Sequence, residues 1–511
     1  MYLTQFLHRA LQQRPDSSMT VFENRIHTVR EGTDRVARLA AGLRGLGVDA
    51  GDRVAVLALN SDRTHEMFLA CWWLGAAPNP VNVRWSAAEI AHSLSDAEPA
   101  AMMIDEHFLE LVAGLDDLPT LIYSGTGAPS PGMTAYESLI ENAEPLPDTR
   151  TGGDALALLL YTGGTTGYPK GVMISHRSLM ASTLGTLASG RSAIGGGSNL
   201  NVNPMFHIAG IVGWMQQNVL GGTQVFLPAF TPDAFLRAID TYRPSVVGLV
   251  PTTLQMLVSH KNASNYDLSS VQVVRYGASP ISPSLLERAM TLFPECGFSQ
   301  GYGMTETAHI SMLGTEEHTI GGDLLRSAGM ALPHCEIRIV DPDGAQVAPG
   351  EIGEVTTRGD HVMLGYWKRQ AETDEVLRDG WMHTGDAGYL DDRGYLFVVD
   401  RIKDMIVTGG ENVYSTEVEN ALTKHEAVAT CSVVGVPDPV WGERVHAFVV
   451  LRADIEPGNE PTTDTLRAHT KSLIAGYKAP RSVQYVDVLP TSAAGKTLKA
   501  ELRRIALAEA G

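Results

Sequence analysis

Apolar runs of strand length alternate with segments of helical period over most of the first 300 residues. RVAVLALN at residues 53–60 has the pattern of a buried strand, and SDRTHEMFLACWWLG after it has the pattern of a helix capped by Ser61. The alternation resumes with TQVFLP, TPDAFLRAIDTYRP, SVVGLV and SPSLLERAMTLFP. This βαβα order predicts an α/β fold of largely parallel sheets covered by helices, with ligand sites at the carboxyl ends of strands.

The sequence changes character after residue 328 and again near residue 400. Short alternating strands with Asp-Gly and Arg-Gly turns, such as CEIRIVDPDG and GYLDDRGYLFVVD, predict a β-rich subdomain over about residues 328–400. A smaller α+β pattern follows, and a chain of 511 residues is expected to hold more than one domain. We predict a large domain over residues 1–400 and a small, mobile C-terminal lid domain over residues 401–511.

Charge and cysteine usage narrow the class of protein. A net charge of −19 argues against a nucleic-acid binder, which needs a basic face, but it allows a small polyphosphate ligand held by a few local donors. The four cysteines are scattered and show neither metal-ligand spacing nor a disulfide framework. With no visible secretory signal and no transmembrane run, we expect a cytoplasmic protein that is not integral to a membrane. A homodimer stays open.

A glycine-rich loop joins two apolar strands within LALLLYTGGTTGYPKGVMISH at residues 156–176. Its glycines let backbone N–H groups close around an anion, its threonines add hydroxyl donors, and Lys170 adds a mobile charge. The Walker A pattern fails, because Pro169 precedes the lysine and Gly171 follows it where a hydroxyl residue would bind magnesium. The loop is therefore either a plain hairpin or a nucleotide site of another architecture, with the metal ligand elsewhere.

Five segments in succession resemble the signature motifs of the adenylate-forming superfamily, which includes acyl- and aryl-CoA synthetases. They are the loop at 156–176, QGYGMTET (300–307), GWMHTGDAGYLDDRGYLFVVDRIKD (380–404), GGENVYSTEVE (409–419) and PTSAAGKTLKAELR (490–503). The resemblance covers nearly the whole chain and implies an AMP-forming carboxylic acid–CoA ligase. Such an enzyme uses ATP and Mg²⁺ to make an acyl-adenylate, and coenzyme A then takes the acyl group.

The resemblance also assigns residues to ATP. Glu306 would be the Mg²⁺ ligand, Thr305 would contact the α-phosphate, and Tyr302 would lie against the adenine. The loop threonines and Lys170 would hold the β- and γ-phosphates. The nucleotide-binding set that the resemblance implies in the large domain is Thr162, Gly163, Gly164, Thr165, Thr166, Gly167, Lys170, Gly277, Ala278, Ser279, Gly301, Tyr302, Gly303 and Met304.

Three further residues are assigned to the ribose, the α-phosphate and the reacting carboxylate. Asp386 suits bidentate acceptance from the two ribose hydroxyls, and Arg401 suits a second ribose or phosphate contact. The resemblance implies that Lys496 is the catalytic lysine that reaches the carboxylate and the α-phosphate during adenylation. A lone lysine is otherwise usually a solvated surface residue.

The resemblance also implies two states of the small domain, one for each half-reaction. Lys403 would be the pivot, since a hinge residue absorbs a change in backbone angles. Gly409 and Gly410 would face the pantetheine tunnel, where a Cβ would obstruct the thiol.

His207 resembles the histidine that the family places between its acid pocket and its thiol entry, although a lone histidine is more often a core residue. Ala209, Gly210, Gly277 and Ala278 are small where the family packs its acid, which leaves room for a chain or a ring. From the sequence we expect no arginine or lysine in this pocket to pair with a second carboxylate or phosphate. A medium- or long-chain fatty acid and an aryl acid both stay open as substrate.

Two positions depart from the family pattern. Ser415 stands where many relatives carry proline, and Asp400 stands where many carry glycine. Thr416 and Glu419 still have the spacing of a capping box for the following helix.

One alternative function remains open, a free-standing adenylation enzyme that loads a carrier protein or another acceptor. A ligand-sensing pseudoenzyme would be expected to lose Glu306 or Lys496, and both are present.

Overall fold

The computed structural model describes residues 1–162, 169–191, 197–452, 455–456, 458–491 and 497–509. The chain divides into two compact units, one formed by residues 1–337 and 357–382 and the other by residues 338–356 and 383–511. The β-rich segment therefore contributes to both units, whereas the sequence analysis placed it wholly in a large domain ending at residue 400. The last part of this segment belongs to the second unit because it forms an antiparallel ladder there, in which Asp386–Leu390 pair with Leu396–Arg401.

Helices cover both units, and several begin at a polar residue whose side chain caps them. Ser61 caps α3 as predicted, because its side chain accepts a hydrogen bond from the Thr64 N–H. The helices are α1 (Gln5–Gln13), α2 (Val29–Gly45), α3 (Asp62–Leu74), α4 (Ala87–Ala97), α5 (Leu109–Val112), α6 (Tyr136–Glu141), α7 (His176–Ala188), α8 (Ile208–Leu220), α9 (Pro232–Tyr242), α10 (Pro251–Val258), α11 (Pro283–Leu292), α12 (Thr315–Ile320), α13 (Gln370–Val376), α14 (Ser415–Leu422), α15 (Thr463–Leu473) and α16 (Lys499–Glu509).

The strands vary in length, and the longest of them lie in the second half of the chain. They are β1 (Ser18–Phe22), β2 (Arg25–Thr28), β3 (Arg53–Leu57), β4 (Ala77–Pro80), β5 (Ala101–Ile104), β6 (Thr120–Tyr123), β7 (Thr134–Ala135), β8 (Leu156–Thr162), β9 (Lys170–Ser175), β10 (Ser198–Asn201), β11 (Thr223–Phe226), β12 (Val246–Leu249), β13 (Val273–Gly277), β14 (Gly297–Met304), β15 (Ala308–Leu313), β16 (Gly329–Ala331), β17 (Glu336–Val340), β18 (Gly353–Arg358), β19 (Gly365–Tyr366), β20 (Leu377–Arg378), β21 (Trp381–Leu390), β22 (Tyr395–Arg401), β23 (Ile406–Thr408), β24 (Glu411–Val413), β25 (Val428–Asp438), β26 (Gly442–Leu451) and β27 (Ser482–Tyr485).

The first unit is built on two largely parallel sheets, as the βαβα pattern predicts. One runs β16-β15-β14-β13-β12-β10-β11-β1-β2, with β10 to β14 joined by parallel pairs, and the other runs β4-β3-β5-β6-β7. Helices bury large side chains against these sheets, among them Trp72 and Trp214, which are both 0% exposed. The predicted α/β class is confirmed. Parallel order brings the carboxyl ends of β10, β12, β13 and β14 to one edge of the sheet.

The second unit combines strand ladders with three helices. Its main sheet runs β24-β23-β26-β25, with β27 beside β26, and α14 to α16 lie in the same unit. Apolar residues from β25, β26 and α14, such as Val433, Ala447 and Val418, are fully buried together. The predicted small α+β unit at the C-terminus therefore has a core of its own. Among the described residues, no helix is both long and apolar enough to cross a membrane.

Candidate active site

A cavity opens where β10, β12, β13 and β14 end, in the first unit. It measures about 870 Å³ when its opening into solvent is included. Its wall includes all four small residues that the sequence analysis placed around the acid: Ala209, Gly210, Gly277 and Ala278. The wall is completed by residues of α8 and β15, so six elements converge on it.

Close backbone packing explains the glycines of this wall. A Cβ on Gly277 would lie 2.4 Å from the Gly301 carbonyl oxygen, and one on Gly210 would lie 2.3 Å from the Pro204 carbonyl oxygen. Neither position can accept a side chain without moving backbone. Ala278, which follows β13, has a φ of +68°, a conformation that costs a non-glycine residue roughly 1–3 kcal/mol. Strain of this kind is often found at functional sites.

Arg275 also lines the cavity, and the expectation of a pocket without arginine is wrong. It lies on β13, two residues before Gly277, so both side-chain positions face the same side of the sheet. Burial lowers the pKa of its guanidinium to about 10, so the group is still charged at neutral pH. The sequence alone could not place this residue in the pocket, because a single cation inside VQVVRYG does not indicate which face of the sheet its side chain occupies.

The turn after β14 carries the predicted magnesium ligand. Thr305, Glu306 and Thr307 connect β14 to β15, and Glu306 is only 7% exposed. The hydroxyl of Tyr366 donates a hydrogen bond of 2.8 Å to its Oε1, and the Met363 N–H donates one of 2.7 Å to its backbone carbonyl. Glu306 is thus a buried carboxylate held in a fixed orientation by β19 and the residues before it.

Lys170 stands at the start of β9, directly opposite Thr162 in the β8–β9 hairpin. Its Nζ forms an ion pair with Glu372 and lies 5.3 Å from the centre of the Tyr366 ring. The contact with Lys170 lowers the pKa of the Glu372 carboxyl. Tyr366 therefore touches residues from both nucleotide motifs. The sequence analysis missed Tyr366 and Glu372, which lie in no motif that it used.

The rest of the predicted loop lies outside the described residues, namely Gly163, Gly164, Thr165, Thr166 and Gly167.

The remaining predicted residues of the first unit lie beside the cavity. Gly301 and Gly303 are part of its wall, and Tyr302 and Met304 alternate with them on β14. His207 is the N-cap residue of α8, whose next three residues, Ile208 to Gly210, line the cavity. Ser279 follows Ala278 beyond the end of β13.

In the second unit, Asp386 and Arg401 form a pair. They are direct partners in the β21–β22 ladder, and Arg401 Nε lies 2.7 Å from Asp386 Oδ1. Asp386 is 5% exposed, while the side chain of Arg401 is 38% exposed. A carboxylate fixed by one cation at the edge of a ladder is suited to accept hydroxyl donors.

Lys403 lies in a single 3₁₀ turn, Ile402–Asp404, which connects β22 to β23. Gly409 and Gly410 form the turn of the β23–β24 hairpin, with φ angles of +62° and +83°. A two-residue hairpin turn with both φ angles positive strongly favours glycine. The hairpin is therefore sufficient to explain both glycines. Lys496 lies outside the described residues.

The two departures from the family pattern meet in space. The carboxylate of Asp400 accepts hydrogen bonds from both the N–H and the hydroxyl of Ser415, and a longer one of 3.4 Å from the Thr416 N–H. These N–H groups belong to the first turn of α14, so Asp400 caps this helix from another element.

The predicted capping box is wrong. Thr416 lies inside α14, and Glu419 instead accepts a hydrogen bond of 2.8 Å from the Val433 N–H and pairs with Lys499 at 2.9 Å.

Outside the motifs, His334, Cys335 and His361 form the one group of three metal-ligand side chains found among the described residues. Burial raises the pKa of the Cys335 thiol to about 11, and the thiol donates a hydrogen bond of 2.9 Å to the Ile310 carbonyl oxygen. His334 Nε2 lies 2.9 Å from the His309 carbonyl oxygen. His361 Nε2 lies 3.2 Å from the Thr357 hydroxyl oxygen, so each of the three residues has a hydrogen-bond contact that needs no metal ion.

Comparison with known protein families identifies the chain. The family model described as AMP-binding enzyme matches residues 7–367, and the model described as AMP-binding enzyme C-terminal domain matches residues 417–496. The chain belongs to the AMP-binding enzyme family. The predicted resemblance to the adenylate-forming superfamily is confirmed, and with it the class of enzyme, an AMP-forming acid–thiol ligase.

Several members of this family align over nearly their whole length. A feruloyl-CoA synthase of Amycolatopsis sp is 40% identical, over 93% of this chain and 93% of its own. The fatty acid–[acyl-carrier-protein] ligase ScoC of Streptomyces coeruleorubidus is 35% identical, over 96% of this chain and 94% of its own. Among solved structures, the anthranilate CoA ligase AuaEII in complex with anthranoyl-AMP superposes with a TM-score of 0.91 at 26% identity, covering 100% of this chain and 98% of that one.

Proposed function

We propose that this AMP-binding enzyme joins a carboxylic acid to coenzyme A in two half-reactions. In the first, a carboxylate oxygen attacks the α-phosphorus of ATP and pyrophosphate leaves, which gives an acyl-adenylate. In the second, the thiol of coenzyme A attacks the acyl carbon, the bond to AMP breaks, and the thiol proton is released. The proposal is supported by the position of β14: its Gly301 and Gly303 line the cavity, and Glu306, the proposed Mg²⁺ ligand, follows at its end.

The first half-reaction brings two anions together, so catalysis depends on positioning and on neutralising charge. Lys170 would leave Glu372 and hold the outgoing phosphates together with Thr162, Thr165 and Thr166. Thr305 would contact the α-phosphate, and Tyr302 would lie against the adenine.

Glu306 would bind Mg²⁺. Carboxylate oxygens are the hard ligands that this ion prefers, and the Tyr366 hydroxyl fixes the carboxylate at the end of β14. When bound, the ion would neutralise charge on the phosphates.

The second unit would supply the remaining groups. Asp386 and Arg401 would hold the ribose, and Lys496 would reach the reacting carboxylate and the α-phosphate. A rotation at Lys403 would then move Lys496 away from the acyl-adenylate and bring the pantetheine entry, beside Gly409 and Gly410, in its place. His207 would lie near the thiol. A pivot at Lys403 would divide the chain into a large domain over residues 1–400, which keeps Asp386, and a lid over residues 401–511, which carries Lys496. These bounds and the pivot are part of the proposal.

The names of the relatives support both substrate classes and both acceptors that the sequence left open. The name of the feruloyl-CoA synthase specifies an aryl acid and coenzyme A, whereas the name of ScoC specifies a fatty acid and an acyl carrier protein. We favour coenzyme A as acceptor and place the acid among fatty and aryl acids. A carrier protein is the alternative acceptor.

The experiment that tests this function is a panel of acids, each supplied with ATP and Mg²⁺, in which AMP release is measured. Each acid is offered coenzyme A in one series and a phosphopantetheinylated carrier protein in the other. AMP release that depends on acid and coenzyme A is the expected result. Release only with the carrier protein would support the alternative, and no release with any acid or acceptor would refute the ligase.

A further inference from the structure

Arg275 occupies a defined row of the sheet beneath the cavity. Its partners in the parallel ladders are Gly248 on β12 and Ser299 on β14, so these three positions face the same side. A Cβ on Gly248 would lie 3.3 Å from Asn203 Nδ2, another group of the cavity wall. Gly213 of α8 leaves room next to the guanidinium, since a Cβ there would lie 3.9 Å from Arg275 Nη1. Small residues on β12 and α8 thus leave open space in the part of the cavity that Arg275 lines.

Polar atoms collect around this row. Gln216 Oε1, Ser299 Oγ and His309 Nδ1 are buried, and none of them has a hydrogen-bond partner among the described residues. All three residues line the cavity together with Arg275. Burial, together with the nearby His334 and Arg275, lowers the pKa of His309 to about 4, so this histidine is neutral at neutral pH. Among the described lining residues, Arg275 alone carries a full charge at neutral pH.

The row lies at the far end of the acid site. Arg275 and Ser299 each come two residues before Gly277 and Gly301, which is about 6.6 Å deeper along the parallel strands at 3.3 Å per residue. The reacting carboxylate must lie at the opposite end, near the turn that carries Thr305 and Glu306. A group on the substrate that reaches Arg275 is therefore remote from the carboxylate that is activated.

We infer that the pocket selects acids that carry a second carboxylate at the far end, with Arg275 as the residue that determines this specificity. The inference rests on the proposed function. An apolar chain in the cavity would strip solvent from a charged guanidinium and from three buried polar atoms, which is costly. A carboxylate there forms charge-assisted, bidentate hydrogen bonds with the guanidinium and gives the Ser299 hydroxyl an acceptor.

The test compares acids that differ only at the far end: octanedioic with octanoic acid, and benzene-1,4-dicarboxylic with benzoic acid. We expect the diacid to have the higher kcat/KM in at least one pair, by about 10- to 100-fold, the range of a hydrogen bond to a charged group. In Arg275→Met the ratio of kcat/KM for the diacid to kcat/KM for the monoacid should fall to one or below. The change should come mainly from a higher KM for the diacid, because the lost contact stabilises the bound substrate and the transition state equally.

Two further variants keep the test decisive. Arg288→Met makes the same chemical change on the exposed face of α11 and should leave the ratio unaltered. Ser299→Ala removes a hydroxyl that has no hydrogen-bond partner in the part of the chain that the structure describes. It should lower the ratio several-fold, even if Arg275→Met proves unstable.

Three outcomes would overturn the inference. Activity on monoacids with no preference for the diacid in either pair would refute it and leave the ligase intact. An equal loss with both members of a pair in Arg275→Met, with an unaltered ratio in Ser299→Ala, would make Arg275 a purely structural residue. Inactivity with every acid would refute the ligase itself, and the inference with it.

Discussion

Tyr366 shows how a single side chain outside the motifs organises the candidate site. Its hydroxyl donates to Glu306, and its ring lies beneath the Nζ of Lys170. Residues that orient a metal ligand typically change affinity or activity by about 10- to 100-fold when they are removed. Tyr366 is therefore the residue through which the two nucleotide motifs influence each other.

Tyr366→Phe should raise the Mg²⁺ concentration needed for half-maximal acid-dependent pyrophosphate exchange by about tenfold, because Glu306 loses the donor that orients it. Exchange measured over a Mg²⁺ titration gives the value. Tyr242→Phe removes a hydroxyl that bonds an exposed carbonyl and is the matched control. An unchanged Mg²⁺ dependence in Tyr366→Phe would separate this tyrosine from the metal site.

Lys496→Ala should slow adenylation by about 10²- to 10³-fold, as expected when one preorganised charge is lost from the reacting centre. Transfer from a supplied acyl-adenylate to coenzyme A should survive nearly intact. Lys471→Ala, on an exposed position of α15, is the control. If both half-reactions fall equally in Lys496→Ala, this lysine does not have the assigned role.

At the scale of the element, Asp400 and Ser415, the two residues that depart from the family pattern, bind each other directly. Proline at 415 would remove the N–H and the hydroxyl that Asp400 accepts, and glycine at 400 would remove the acceptor. Ser415 is fully buried and Asp400 is 7% exposed, so water cannot easily replace the hydrogen bonds between them, although Lys499 would still donate to the Ser415 hydroxyl. The two departures from the family pattern are therefore one exchanged interaction.

Asp400→Gly and Ser415→Pro should each lower the melting temperature, because each removes the buried hydrogen bonds between these two residues, at a cost of about 1–3 kcal/mol. The free energy of unfolding that the double variant loses should be smaller than the sum of the losses in the two single variants, by about 0.5–3 kcal/mol. Melting curves of the four proteins form the cycle. Strict additivity would mean that the two positions act independently.

The β23–β24 hairpin calls for a control on the proposed thiol tunnel. Gly410→Leu should block thioester formation while pyrophosphate exchange continues, but its φ of +83° strains any leucine. Gly410→Asn tolerates that angle with a smaller side chain, so it separates strain from obstruction. Normal thioester formation in the leucine variant would place the tunnel elsewhere.

At the scale of the whole molecule, the chain forms two units, each with its own core. Within the second unit, a short turn that contains Lys403 connects β22 to the sheet β24-β23-β26-β25. Few backbone angles need to change for the residues after this turn to rotate, and a single 3₁₀ turn is a suitable place for them.

Lys403→Pro tests the two-state mechanism, because proline fixes φ near −65° and removes a backbone donor. We expect adenylation to be retained and thioester formation to fall by orders of magnitude. Lys403→Ala permits both angles and should cost little. The measurement is the ratio of pyrophosphate exchange to thioester formation, and a parallel loss in both variants would place the pivot elsewhere.

Part of this protein follows from the sequence alone. The alternation of strand and helix periods determined the α/β class, and contiguous motifs determined the enzyme class, because each motif is a continuous stretch of sequence such as the one that contains Glu306. A local pattern also located the cap at Ser61, and the family resemblance located the four small residues that line the cavity.

Only the tertiary structure could decide the contacts that join distant segments. Tyr366 and Glu306 are 60 residues apart, and Asp400 reaches Ser415 across 15 residues. The place of Arg275 depends on its register with Gly248 and Ser299 and on the helix above them. The physical reason is that a strand pattern shows which residues alternate, while cross-strand register and packing decide which face meets a cavity.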